Sequence, residues 1–129
     1  MAGANDQIAA RAGIEAAYEA APGPKRLVVI EGAGHNNAFS DICEIGEGGG
    51  GVIALARQAG LPIPDSIARL GEDGCKPPNL PSGDVWPVVR HFVTAHLRFQ
   101  AGISSVPWGL DAGVADEFDA PVTYTQAGT

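Results

Sequence analysis

The chain has 129 residues, of which 45% are hydrophobic, and a formal net charge of −7. This length predicts at most one domain, and the negative charge argues against nucleic acid or an anionic membrane surface as partners. No apolar run approaches the ~20 residues of a membrane-spanning helix, and the N-terminal residues lack the charged and apolar regions of a signal peptide.

The first predicted elements are a turn and an amphipathic helix. The turn, residues 3–9, has the sequence GANDQIA, in which Asn5 and Asp6 are both residue types that cap helices. Apolar residues then recur at the spacing of one helix face, at Ile14, Ala17, Tyr18 and Ala21. The segment 22–24, Pro-Gly-Pro, ends this helix.

A buried strand is predicted next, because residues 27–30 are all apolar and mostly β-branched. A helix that leads into such a strand is half of a βαβ unit, so the predicted fold class is α/β. The turn at Asn5 also resembles the exit of an earlier strand. Only residues 122–125 offer a further, weak strand pattern. We therefore predict that the chain is the C-terminal part of a larger sheet-and-helix domain and is incomplete on its own.

Residues 39–82 are predicted to form an ordered surface insertion. It contains a flexible glycine run at 46–51, a helix at 52–58 and a short helical segment at 65–70. Cys43 and Cys75 within it are either two buried thiols or a disulfide. We favour the disulfide, because few other features would order this segment, and loop closure would contribute ~3–4 kcal/mol. A bonded pair would point to an exported protein.

The last strong element is a helix at 85–100, capped by Asp84 and carrying Pro87 in its first turn. Its apolar stripe predicts packing against the sheet; the stripe consists of Val85, Val89, Phe92, His96 and Phe99, widened by Trp86, Val93 and Leu97. Residues 111–129 are acidic and rich in small residues, which predicts a mobile tail. The predicted domain accordingly spans residues 1–110.

The residues that suggest chemistry are Asp6 and His35, each placed just after a strand. His35 ends the stretch KRLVVIEGAGH, residues 25–35. Functional groups in open α/β sheets lie at the carboxyl ends of strands. Because one helix joins the two turns, we expect both residues at adjacent strand ends, within hydrogen-bonding distance. Taken alone, Asp6 reads as a helix cap and His35 as an exposed loop residue; as a pair they fit the acid and base of a hydrolase triad.

These two turns resemble the C-terminal part of the α/β-hydrolase fold, in particular dienelactone hydrolases, cutinase-like polyester hydrolases and platelet-activating-factor-acetylhydrolase-like esterases. The family's acid lies in a G-x-x-D-x-I-x-P turn, which matches Gly3, Asp6 and Ile8, with Ala10 in place of the proline. The family's histidine lies in a G-x-H turn, which matches His35. The resemblance covers about a third of the chain and implies a serine-type carboxylic ester hydrolase that acts on an ester substrate without a cofactor.

The family's serine is missing from this chain. It normally lies in a G-x-S-x-G elbow ahead of the acid, and no such pentapeptide occurs here; the serines present stand in other contexts, at Ser40, Ser66, Ser82, Ser104 and Ser105. We therefore expect the chain to be inactive alone and to associate with a missing upstream segment. The alternative is a non-catalytic binding module that associates through its exposed sheet edge, with itself or with a partner.

Other candidate residues favour structural explanations. His91 and His96 are five residues apart on the last helix, which is not the i, i+4 spacing of a helical metal pair. The acidic residues Asp116, Glu117 and Asp119 are expected in a solvated tail rather than at a cation site. No metal site is predicted.

Overall fold

The structure, a computed structural model, describes residues 1–38, 41–45 and 50–128. Most of the predicted glycine loop, as well as Ser40, lies outside the described residues. The strands are β1 (Ala2–Gly3), β2 (Lys25–Ile30) and β3 (Val122–Ala127). The helices are α1 (Arg11–Ala20), α2 (Gly51–Gln58), α3 (Asp65–Glu72), α4 (Ser82–Gln100) and α5 (Ala112–Ala115), with single 3-10 turns at Asn36–Ala38 and Asp41–Glu44.

The three strands form one mixed sheet in the order β1-β2-β3. β1 runs parallel to β2, with Ala2 opposite Val29 and Gly3 opposite Ile30, and α1 connects the two strands. β3 runs antiparallel along the other edge of β2 and pairs with all six of its residues. Helices around a small mixed sheet agree with the predicted α/β class.

Helices cover both faces of β2. Successive side chains of a strand point to opposite faces, so the consecutive apolar residues of β2 place apolar side chains on each face. Leu27 and Val29 pack toward α1, whose Ile14 and Tyr18 are partly buried against them. The larger core lies on the other face and joins β2 to α4 through Val28, Ile30, Val85, Val88 and Phe92. Residues 27–30 are all buried, as predicted for a strand covered on both faces.

The prediction of a mobile tail is wrong for residues 111–128. Asp111 caps α5 by accepting a hydrogen bond from the Val114 amide, and β3 then pairs with β2. The half-buried residues of β3, Val122 and Tyr124, alternate with exposed ones and pack on the larger core. Pairing with β3 gives hydrogen-bond partners to the backbone groups on an edge that β2 would otherwise expose. This is the physical reason why residues 111–128 form ordered structure.

The last long helix begins earlier than predicted. α4 starts at Ser82, so Asp84 lies in its first turn instead of capping it, and the Ser82 amide donates to the Glu44 carboxylate at 3.1 Å. Pro87 lies inside the helix, where it has no amide to donate to the Gly83 carbonyl. The helix buries only part of the predicted stripe, because the three-stranded sheet is narrow: His96, Val93 and Leu97 are exposed.

The predicted disulfide is confirmed: Cys43 and Cys75 are bonded across a sequence separation of 32. It joins the 3-10 turn at Asp41–Glu44 to the segment that follows α3. Within the described residues, none of the helices is both long and apolar enough to cross a membrane.

Candidate acid-histidine site

Asp6 lies in the turn that leads from β1 to α1. The turn is tied to the end of β2, because the Ala4 amide donates to the Ile30 carbonyl at 3.0 Å and the Asn5 amide donates to the Ala33 carbonyl at 2.9 Å. Asp6 Oδ1 accepts hydrogen bonds from the amides of Ile8 at 2.8 Å and Ala9 at 2.7 Å. Asp6 thus caps its own turn rather than α1, and these two bonds orient its carboxylate.

His35 lies in the turn that follows β2. Gly32 makes the turn possible, since its φ of 75° lies in the left-handed region that favours glycine. The buried side chain of Asn37 holds the turn from within: its Oδ1 accepts from the Gly34 amide at 2.9 Å, and its Nδ2 donates to the Leu80 carbonyl at 2.8 Å. The backbone of His35 is therefore fixed by the segment ahead of α4 as well as by β2.

The two turns bring His35 Nδ1 to 3.0 Å from Asp6 Oδ2. The Asp6 side chain is 7% exposed and the His35 side chain 35% exposed. An ionised carboxylate can only accept hydrogen bonds, so this contact favours the tautomer of His35 that carries its hydrogen on Nδ1. With Nδ1 engaged, Nε2 is the ring nitrogen that would exchange a proton with a reacting group.

Both side chains line a surface cavity of about 410 Å³ whose other walls are largely apolar. The apolar side chains come from α1, β2 and α4, for example Ile14, Ile30 and Val89. Among the described residues, no serine, threonine or cysteine lines this cavity. The arrangement can orient a histidine for general acid-base catalysis, and the described part of the cavity wall supplies no nucleophile.

Sequence reasoning missed one residue of this site, Asp73. Its Oδ2 accepts hydrogen bonds from the backbone amides of Gln7 and His35, each at 3.1 Å. Asp73 lies 38 residues beyond His35, just after α3. Asp73 binds backbone amides rather than particular side chains, so the residue types of its partners give no signal. No motif in the sequence could therefore have identified Asp73.

The other candidate residues lie elsewhere. His91 Nε2 is 2.9 Å from the Gly109 carbonyl oxygen, and the ring packs edge-on against Phe92 and Phe118. His96 is exposed, and so are the acidic residues Asp116, Glu117 and Asp119. The structure thus brings Asp6 and His35 together and leaves the remaining candidates apart from them.

Comparisons of this chain with protein-family models, with curated proteins and with solved structures found no significant match.

Proposed function

We propose that this chain supplies the acid and the histidine of a serine-type carboxylic ester hydrolase, whose nucleophile comes from polypeptide outside these residues. The observation that carries the proposal is the contact of 3.0 Å between His35 Nδ1 and the buried carboxylate of Asp6. Such a pair orients the imidazole and stabilises the imidazolium that forms when a hydroxyl group loses its proton.

In the first half of the reaction, His35 acts as general base and then as general acid. Nε2 takes the proton of the serine hydroxyl while the serine oxygen attacks the ester carbonyl carbon. Asp6 accepts the Nδ1 hydrogen bond throughout and remains ionised. The tetrahedral intermediate then collapses, the bond to the alkoxy oxygen breaks, and the proton on Nε2 passes to the leaving alcohol, which leaves an acyl-serine.

In the second half, water replaces the alcohol. His35 Nε2 removes a proton from the water as the water oxygen attacks the acyl carbonyl, and this proton passes to the serine oxygen when the acyl bond breaks. The products are a carboxylic acid, an alcohol and the original enzyme. We assign the stabilisation of the oxyanion to amides near the serine, on the same polypeptide outside these residues.

The free edge of β1 is where we place the strand that carries the serine. β1 is an edge strand of the sheet, and the cavity that contains Asp6 and His35 lies beside it. A parallel strand added there would end at the same edge of the sheet as the two turns, which is where functional groups of such sheets gather. The disulfide is compatible with an extracellular location, which we propose for the assembled enzyme.

The test is the hydrolysis of p-nitrophenyl esters by the purified chain, alone and together with the polypeptide encoded immediately upstream. We expect turnover only when the upstream polypeptide is present. In that assembly, His35→Ala and Asp6→Ala should each lower kcat by on the order of 10³-fold or more, because the serine loses its oriented base.

The matched control is Thr94→Ala, since Thr94 is an exposed residue of α4 that lines neither the site cavity nor the cavity beside Lys25 and Arg26 of β2. It should leave kcat and KM unchanged. An assembly that retains full esterase turnover after Asp6→Ala or His35→Ala would refute the proposed roles.

A second candidate function is a non-catalytic module that binds through its open sheet edge. β1 pairs with only Val29 and Ile30, so among the described residues no strand lies beside residues 25–28 of β2 on that side. A second cavity of about 290 Å³ follows this open stretch, and exposed apolar side chains of α4 line it, notably Val93 and Leu97. An edge of this kind accepts an added strand.

Sedimentation velocity over roughly 5 to 200 µM tests this second function, because association through the edge depends on concentration. For a self-associating module, the sedimentation coefficient would rise with concentration, and Leu97→Glu would abolish that rise. Leu61→Glu is the matched control, since Leu61 is similarly exposed, at 56% against 59% for Leu97, and does not line the cavity. A chain that stays monomeric over this range would rule out self-association through the edge.

A further inference from the structure

We infer that Asp73 is the positioning residue of the Asp6–His35 pair, and that it acts by clamping the two turns that carry these side chains. The inference rests on the proposed hydrolase function for its catalytic meaning. Its geometric part, the dependence of the Asp6–His35 contact on Asp73, can be measured in the chain whether or not an ester is hydrolysed.

The clamp is one carboxylate oxygen shared by two turns. Asp73 Oδ2 accepts the amide hydrogen of Gln7, next to Asp6, and the amide hydrogen of His35 itself, both at 3.1 Å. Asp73 is buried, with 7% of its surface exposed. Hydrogen bonds between backbone amides and an ionised carboxylate are about twice as strong as neutral ones, so the two turns are held at a set separation.

The backbone of Asp73 adds a third hydrogen bond, which goes to the turn that carries His35. The Asn36 amide donates to the Asp73 carbonyl at 3.0 Å. The segment then passes so close to the histidine turn that a Cβ on Gly34 would lie 2.4 Å from the Gly74 Cα. The chain after α3 therefore packs directly against the candidate site, rather than forming a loop remote from it.

The disulfide holds this segment in place. Cys75 follows Asp73 by two residues, and its partner Cys43 lies eight residues beyond His35. The amide of Cys75 also donates to the Glu72 carbonyl at 2.9 Å, which continues α3 into the disulfide. The covalent link thus limits how far Asp73 can move from the two amides that it binds.

The consequence for chemistry follows from what Asp73 contacts. Asp73 Oδ2 binds backbone amides of the site, so Asp73 positions the pair through Gln7 and His35 rather than as a catalytic residue. Removing the carboxylate would free the turns to shift, and small displacements of a positioned general base cost up to ~10²-fold in rate. Asp73→Asn keeps an acceptor oxygen at the same distance from the backbone and should preserve the clamp.

The experiment measures the tautomer of neutral His35 by ¹⁵N NMR in the folded, disulfide-bonded chain. We expect the form protonated at Nδ1 in the parent, because Asp6 accepts that hydrogen. Asp73→Ala should move the population toward the form protonated at Nε2 and should speed hydrogen exchange of the Gln7 and His35 amides. Asp73→Asn should retain most of the parent behaviour, because its neutral amide oxygen accepts the same two hydrogens with weaker bonds. Asp84→Ala, at an exposed aspartate in the first turn of α4, is the matched control and should change nothing.

In the assembled hydrolase, Asp73→Ala should lower kcat by on the order of 10- to 100-fold with KM unchanged, as for other residues that orient a catalytic group indirectly. A folded Asp73→Ala chain with parent tautomer and amide exchange would overturn the inference, and so would equal losses in Asp73→Asn and Asp73→Ala. If Asp73→Ala does not fold, Asp73→Glu replaces it, since the added methylene displaces the acceptor oxygen. Absence of ester turnover in every assembly would refute the proposed function alone, because the NMR result stands apart from it.

Discussion

At the scale of single residues, the Asp6–His35 pair depends on how each oxygen of one carboxylate is used. Oδ1 binds two amides of its own turn, and Oδ2 faces the imidazole. This division leaves the carboxylate one orientation, so the histidine meets a fixed acceptor rather than a mobile one. The pairing could be predicted from the sequence, because two consecutive parallel strands must end at the same edge of a sheet.

The close approach of Gly34 and Gly74 leads to a prediction about stability. Gly34→Ala would place a Cβ 2.4 Å from the Gly74 Cα, so the backbone must move apart. We expect the free energy of unfolding to fall by about 2–4 kcal/mol, measured by urea denaturation. Gly13→Ala is the control, because Gly13 lies in α1 with nothing within 4 Å of an added Cβ, and it should stabilise the chain by about 0.5–1 kcal/mol. Equal effects of the two changes would contradict this account.

Glu72 leads to a prediction about pH. Its carboxylate lies 2.8 Å from Lys76 Nζ and 2.7 Å from Arg57 Nη1, and the hydrogen bond from Lys76 is the main cause that lowers the pKa of Glu72 below its ordinary value of 4.5. A lowered pKa contributes stability above pH 4.5, and this contribution is lost as the pH falls through the folded-state value.

The measurement compares urea midpoints at about pH 7 and about pH 3. Glu72→Gln should lower the free energy of unfolding at the higher pH by up to ~1 kcal/mol, because its partners are exposed, and should lose less stability on acidification than the parent. Glu117→Gln, at an exposed glutamate, should lose as much stability on acidification as the parent does. A Glu72→Gln variant that loses as much stability on acidification as the parent would contradict the assignment.

At the scale of elements, α4 covers one face of the sheet with only part of its apolar surface. Val85, Val88 and Phe92 are buried, whereas Val93 and Leu97 line the second cavity and remain exposed. The helical periodicity correctly indicated an apolar helix. It could not indicate which apolar side chains would be covered, since that depends on the width of the sheet beneath them.

Two substitutions on α4 compare the stability contributed by a buried apolar side chain with that of an exposed one. Phe92→Ala should lower the free energy of unfolding by about 3–5 kcal/mol, because it leaves a cavity in the larger core. Leu97→Ala, at a residue that is 59% exposed, should change it by no more than about 0.5 kcal/mol. Chemical denaturation of both variants at one pH gives the comparison. A large loss in Leu97→Ala would show that the second cavity is closed by a partner under the conditions used.

At the scale of the whole molecule, the disulfide acts on the unfolded chain as much as on the folded one. It closes a loop between Cys43 and Cys75, which restricts the unfolded state. Cys43→Ser with Cys75→Ser should therefore lower the free energy of unfolding by about 3–4 kcal/mol. Thermal or urea unfolding of this double variant and of the reduced parent provides the test; reduction should reproduce most of the loss, and an unchanged midpoint in both would contradict the prediction.

The sequence by itself determined the features that arise from local pattern and chain order. These are the helix α1, the buried strand β2, the apolar helix α4 and the placement of Asp6 and His35 at neighbouring strand ends. Periodicity reveals which face of a segment is apolar, and short connections between consecutive strands place their ends together. The cysteine spacing alone left the disulfide open; the scarcity of other ordering features favoured it.

Only the tertiary structure decided the contacts between distant parts of the chain. The pairing of β3 with β2 joins residues about a hundred positions apart, from Lys25 with Ala127 to Ile30 with Val122, and a backbone ladder of this kind accepts many sequences. The hydrogen bonds from Gln7 and His35 to Asp73 are of the same nature, because the amides that bind the carboxylate belong to the backbone. Every residue has a backbone carbonyl and every residue except proline has an amide N–H, so such contacts leave no signature in the order of side chains and arise only when the chain is folded.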